Sequence, residues 1–186
     1  MFRINIHHPR VPILKEVCWH PPLLNWIKCN IDGASIGNPG ISSCGGVFRN
    51  HESNCIYAFA EPLAISTSYV AELSGAMRAI EIAFQKNWHH LWLESDSALV
   101  VLAFNNPSKH VAWQLRNRWK NVMFMVSQMN LIVSHIYREG NQVADLLANY
   151  GLNLTSFVFW NESPLFISDF VNRNKVGIPS FRLCTI

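Results

Sequence analysis

The 186-residue chain has no run of eighteen apolar residues, so no segment reads as a membrane span. Its first ten residues, Met1 to Arg10, lack the apolar stretch of a secretory signal. An intracellular protein is therefore expected, in the nucleus or the cytoplasm and away from membranes. Charge is scarce, with Asp, Glu, Lys and Arg making up 15% of the residues, yet 49% are apolar. That balance excludes a disordered chain and suits one buried core rather than two. The five cysteines are scattered, odd in number and without C-x-x-C spacing, which argues against a zinc site or a disulfide framework. We expect reduced thiols packed as small hydrophobes. No internal repeat is visible, and a net charge of +3 allows an anionic partner without requiring one.

What is present is an orderly alternation of patterns. Four prolines, Pro9, Pro12, Pro21 and Pro22, mark residues 1–24 as an extended arm. From Trp26 to Asp32 polar and apolar residues alternate, the period of a strand, with Asp32 on its more polar face. Gly37-Asn38-Pro39-Gly40 reads as a turn, and further strands are predicted at Gly45 to Arg49 and Cys55 to Ala60. Val70, Leu73, Met77, Ile80 and Phe84 form one helical stripe, with Glu72 near its start. Leu91 to Ser95 reads as a strand running into Asp96, followed by a helix from Ala98 to Phe104. A second long helix is predicted from Ala112 to Met129, a last strand from Leu131 to Tyr137, and a final helix through Ala148 that carries Asp145. The order is that of an α/β domain with a mixed sheet.

Each acid has an ordinary structural reading. Asp32 can cap the turn after it, Glu72 can sit at a helix N-terminus, Asp96 can N-cap its helix, and Asp145 can be an exposed helix residue. Glu94, two residues before Asp96, is a candidate decoy. Taken singly, each ordinary reading is the better one; the joint occurrence of the acids in this topology is what favours one site.

Four motifs carry a family likeness. Asp32-Gly33-Ala34-Ser35-Ile36-Gly37-Asn38-Pro39-Gly40, Ala71-Glu72-Leu73, Glu94-Ser95-Asp96-Ser97 and Arg138 to Asp145 resemble, in order, the four motifs of type 1 ribonucleases H. The lead-in Trp19-His20-Pro21-Pro22 and Trp26 to Asn30 is similar to plant members related to retroelements. The likeness spans roughly residues 17–152. It implies a ribonuclease H-like fold: a five-stranded mixed sheet, three antiparallel strands then two parallel, flanked by helices. The expected organisation is an arm over 1–24, this domain over 25–152 and an aromatic extension over 153–186.

The resemblance also implies a function. It points to an endoribonuclease that hydrolyses the RNA strand of RNA–DNA hybrids, with Asp32, Glu72, Asp96 and Asp145 holding two Mg²⁺ ions, Mn²⁺ being a substitute. Asp32 would bridge both ions. Gly33, Ser35 and Asn38 would touch the hybrid, and Arg116 and Lys120 on the second long helix offer phosphate contacts or a merely solvated face. Many members use a loop histidine before the last aspartate. A direct count gives His135, although the alternation of Leu131 to Ile136 sets it within the last strand as a packing residue, and alignment of strand ends gives Arg138 or Glu139 instead. Ser68, Tyr69 and Ala98 stand where the family often has hydrogen-bonding side chains, and the basic insertion of some bacterial members is missing between Asn105 and His110. These departures motivate an alternative, a ribonuclease H-fold module that binds nucleic acid with little or no turnover. Transposases, integrases and proofreading exonucleases share the general fold but fit the acids less well. A monomer is expected. Phe157, Phe159, Trp160, Phe166 and Phe170 are too apolar for a free tail, so the extension either packs on the domain or meets a protein partner.

Overall fold

The computed structural model describes residues 12–107 and 110–185. The rest of the predicted arm, including His7 and His8, lies outside the described residues, as do Ser108 and Lys109 of the short connection. The central sheet is built from β2 (Ile27–Gly37), β3 (Gly40–Arg49), β4 (Cys55–Ser66), β5 (His90–Ser95) and β6 (Asn130–His135). A sixth strand, β7 (Val158–Trp160), completes it in the order β6-β5-β2-β3-β4-β7. Strands β2, β3 and β4 form an antiparallel meander, while β5 and β6 run parallel to β2. This is the expected mixed sheet with one strand more. The addition comes from the aromatic extension, which pairs Ala58 with Trp160 and so covers an edge of β4 that would otherwise present unpaired backbone groups.

Helix α1 (Ser68–Gln85) lies against β2 and β3, and its predicted stripe is buried at Val70, Leu73, Met77 and Ile80. Helix α2 (Ala98–Asn105) follows β5. The second long helix begins later than its sequence suggests, as a 3-10 turn at Trp113–Leu115 leading into α3 (Arg116–Val126). Trp119 and Val122 seal α3 onto the core, with Leu115, Val126 and Met129 packed at the margin. Helix α4 (Gln142–Gly151) covers the other half of β3. All five cysteines are free thiols, Cys29 and Cys44 fully buried.

The extension packs onto the domain. Helix α5 (Leu165–Lys175) buries Ile167 and Val171 against Val47, Ala58, Val143 and Leu147. Beyond it, β8 (Ser180–Thr185) pairs antiparallel with β1 (Pro12–Val17), so the two ends of the described chain form a ribbon. No described helix is long and apolar enough to cross a membrane.

Two helices approach the sheet closely because two strand residues lack a side chain. A Cβ on Gly33 would stand 2.2 Å from the backbone nitrogen of Glu72, and one on Gly45 would stand 2.5 Å from that of Ala148. Each glycine therefore sets the seat of one helix, α1 or α4, and those helices carry Glu72 and Asp145. Gly33→Ala and Gly45→Ala are each expected to destabilise the chain by about 1–3 kcal/mol or more, since backbone must move to relieve the overlap. Urea unfolding of the two variants checks this, and wild-type midpoints would show that the helices are not seated there.

Candidate active site

The acids reach one cavity from four elements. Asp32 leaves the middle of β2, is 6% exposed, and accepts a 2.8 Å hydrogen bond from the Gly33 amide. Glu72 lies one turn into α1, beyond the capping groups: Thr67 is the N-cap, and its hydroxyl accepts from the Val70 amide. Glu72 therefore does not serve the helix terminus. Its Oε2 is buried and has no hydrogen-bond partner. Asp96 follows the end of β5; Ser97, not Asp96, occupies the N-cap position of α2. The Asp96 Oδ1 accepts from Asn141 Nδ2 at 3.1 Å. Ligand oxygens of Asp32, Glu72 and Asp96 all lie within 4.8 Å of one another.

Asp145 lines the same cavity, of about 360 Å³, but stands outside that tight group. Its carboxylate accepts from Arg138 at 3.0 Å, across the 3-10 turn Arg138–Gly140 that precedes α4. Arg138 also lines the cavity, whereas Glu139 turns away to pair with Arg182 of β8. The decoy acid, Glu94, is committed elsewhere, in a buried ion pair with Lys28 at 2.8 Å.

The other predicted residues divide. Gly33 and Ser35 line the cavity. The Ser35 hydroxyl donates to the Gly37 carbonyl at 2.6 Å. Asn38 is exposed on the turn, its Oδ1 accepting from the Ser68 amide at 3.1 Å, which ties that turn to the start of α1. Arg116 and Lys120 are exposed on α3 and are not among the cavity residues. His135 is the last residue of β6 and pairs with Ser95, so it belongs to the strand and not to a loop. Its Nε2 lies 3.0 Å from the Asp96 carbonyl oxygen and its ring packs edge-on against Tyr137, so it borders the site from behind. Ala98 is exposed at the start of α2, and the Tyr69 hydroxyl donates to the His110 carbonyl.

Sequence reasoning missed the layer beneath the acids. Lys28 and Asn30, read as the more polar face of β2 together with Asp32, are 1% exposed. They are covered by Trp19, Arg49, Glu94 and Asn141, which hydrogen-bond or pair with them. The alternation was visible, but the residues that bury it come from distant parts of the chain.

Packing three carboxyl groups into a half-closed cavity has an electrostatic cost. Burial, with the Asp96 charge beside it, pushes Asp32 up to about 7. Glu72 is pushed higher still, by burial first and then by Asp32 and Asp96. Asp96 is raised mainly by burial, its hydrogen bond from Asn141 holding it back. A divalent cation fits these residues: the donors are all hard oxygens, one buried carboxylate oxygen is unpartnered, and a cation removes the repulsion.

Comparison with known proteins follows the same lines. The family described as "Reverse transcriptase-like" matches residues 30–151. An Arabidopsis thaliana protein named "Putative ribonuclease H protein" is 30% identical over 181 residues, covering 94% of this chain and 28% of its own length. Ribonuclease HI of Halobacterium salinarum is 26% identical over 133 residues, covering 68% of this chain and 64% of its own. This chain thus spans about a quarter of the first relative and under two thirds of the second. Among solved structures, LC11-RNase H1 in complex with an RNA/DNA hybrid superposes with a TM-score of 0.61 at 25% identity, covering 68% of this chain and 96% of that one.

The raised acids have a consequence for stability. A carboxyl raised on folding keeps a proton that the unfolded chain has released, so between about pH 4 and Asp32's value near 7 stability falls as pH rises. Asp32→Asn removes that contribution. Without metal, the variant is expected to exceed the wild type by roughly 2–4 kcal/mol at pH 8 and to lose this advantage towards pH 4, at about 1.4 kcal/mol per pKa unit. Mg²⁺ should raise the wild-type melting temperature at pH 8 far more than at pH 5. Urea and thermal unfolding at several pH values measure both, and a variant advantage independent of pH would contradict the raised Asp32.

Proposed function

The chain belongs to the reverse transcriptase-like family of ribonuclease H domains, and we propose that it cleaves the RNA strand of RNA–DNA hybrids at the carboxylate cavity. One observation carries this reading: three acids from three separate elements meet within 4.8 Å, and the buried Glu72 Oε2 has no partner. Such a cluster is unfavourable unless something positive joins it. Asp32, Glu72, Asp96 and Asp145 are the residues that would hold two Mg²⁺ ions, with Mn²⁺ as a substitute. Bound there, the ions supply an activated water and stabilise the leaving oxygen.

The chain's own groups have distinct tasks. Asp32, least exposed of the described acid group, anchors the cluster on the rigid centre of the sheet. Asn141 holds one oxygen of Asp96, which leaves the other to turn into the cavity. Arg138 holds Asp145, and its side chain, 75% exposed, lies at the cavity rim where a phosphate of the scissile strand would pass. The backbone of Gly33 and the Ser35 and Asn38 side chains border the same approach. A hybrid presents 2′-hydroxyls on one strand only, along a wide and shallow minor groove. Arg116 and Lys120 on α3 offer phosphate contacts farther along the duplex. His135, held behind Asp96, and Glu139, paired with Arg182, act on the site indirectly.

Incubation of the full chain with a labelled RNA–DNA hybrid and Mg²⁺ tests the proposal, with Asp96→Asn as control. Loss of one metal-holding carboxylate removes several kcal/mol of charge stabilisation, so cleavage should fall at least about a hundredfold. Hybrid binding without cleavage by the wild type would sink the nuclease reading and leave a binding module. Cleavage that persists in Asp96→Asn would place the chemistry elsewhere.

A further inference from the structure

The buried layer under the carboxylates leads beyond the reading just given, and rests on it. Asn30, two residues before Asp32 on β2, has every hydrogen-bonding direction of its amide filled. Its Nδ2 donates to Glu94 Oε2 at 2.9 Å and to Asn141 Oδ1 at 3.2 Å. Its Oδ1 accepts from Trp19 Nε1 at 2.8 Å and from the Arg49 guanidinium at 2.7 Å. A buried amide satisfied in this way has one orientation, because a flip would set donors against donors. Asn141 reads that orientation. Its oxygen is taken by Asn30, so its nitrogen points to the Ile31 carbonyl at 2.9 Å and to Asp96 Oδ1.

The layer is completed from outside the family region, residues 30–151. Trp19 precedes it, and the Arg49 guanidinium lies 3.7 Å from the centroid of the Trp19 ring. Asn174 of α5 follows it, and its Oδ1 accepts from the second terminal nitrogen of Arg49 at 2.8 Å. Arg49 is 1% exposed, so its direction is fixed by these few partners. We propose that Trp19 and Asn174 are positioning residues for the carboxylate cluster: through Arg49, Asn30 and Asn141, the two flanks of the domain fix the orientation of Asp96 and tune the affinity of the cavity for a divalent cation.

The test uses the full chain carrying Trp19→Phe, Asn174→Ala, or both. Phenylalanine keeps an aromatic face for Arg49 and removes the indole N–H. Two quantities are read: Mg²⁺ affinity by calorimetry, and the side-chain amide ¹H–¹⁵N resonances of Asn30 and Asn141 in metal-free protein. Outer partners of metal-holding carboxylates contribute about 10–100-fold in affinity. Trp19 acts through two further hydrogen bonds and Asn174 through three, so the double variant is expected to bind Mg²⁺ about three- to tenfold more weakly, with the Asn141 resonances displaced. Asn174→Asp keeps an acceptor for Arg49 and should restore wild-type affinity. Asn174 is partly exposed, so Asn174→Ala carries the test alone if the double variant does not fold. Wild-type Mg²⁺ affinity in the variants, or unmoved Asn141 resonances, overturns the proposal. A wild type that binds Mg²⁺ but cleaves no hybrid overturns the nuclease reading only, and the two measurements still decide this one.

Discussion

The depth at which two helices sit on one strand pair governs the rest of the molecule. Gly33 on β2 admits α1, and Gly45, its neighbour across β3 at the Asp32 register, admits α4. Interiors pack at crystal density, so a helix displaced by even one methyl group carries its side chains with it. Glu72 could not reach Asp32, nor α4 lay Asp145 along the same cavity, from helices seated farther out. Ser43 reinforces the second seat, its hydroxyl donating to the Ala148 carbonyl near the end of α4. The small residues of the first motif are thus packing devices before they are substrate contacts.

Above and below that seat the chain handles charge in opposite ways. Below, Lys28 and Arg49 are withdrawn from water, yet each is matched: Lys28 by Glu94, the His20 carbonyl at 2.9 Å and the face of Trp92, Arg49 by Asn30, Asn174 and Trp19. Burial lowers the proton affinity of both cations, and Glu94 restores part of it. Above, three acids face one another; Asn141 and the Gly33 amide donate to them, and Asp32 and Glu72 hydrogen-bond each other. A buried pair that is matched and hydrogen-bonded can break even, whereas like charges cannot. The lower layer is therefore matched in its resting form, while the upper one relieves its repulsion by holding protons and would do so more fully with a cation.

How far the sequence discloses this depends on whether the cause is local. Strand alternation and turn residues are local, so β2 to β6 and the seats of Asp32, Glu72 and Asp96 were legible, with boundaries off by a few residues. His135 was legible as a strand residue, but the end of β6 was not, because the strand stops where its partner stops: Ser95 pairs with His135, and the backbone then turns away into the 3-10 segment. The polar face of β2 was legible as a pattern and misleading as an environment, since Trp19, Arg49 and Asn141 cover it from afar. The aromatic extension announced that it needed cover, but its partners, the β4 edge and the outer face of α4, are set by tertiary packing. Those two contacts also explain why the sheet has six strands instead of five.

Asp145 shows the same distinction at the level of one side chain. Its element and its cavity were legible, while its distance from the other three acids was not, because a rotamer held by Arg138 is a property of the folded chain. The pairing does not weigh against a four-acid site. Arg138 is 75% exposed, and an ion pair so open to water contributes about 0–1 kcal/mol. A divalent cation among the buried Asp32 and the half-buried Glu72 and Asp96 would offer far more, since each raised carboxyl holds back about 1.4 kcal/mol per pKa unit. In the proposed metal-holding form, Asp145 would give up Arg138 at little cost. The Arg138 guanidinium would then stand at the rim, where the backbone of an incoming strand would supply the negative charge it has given up.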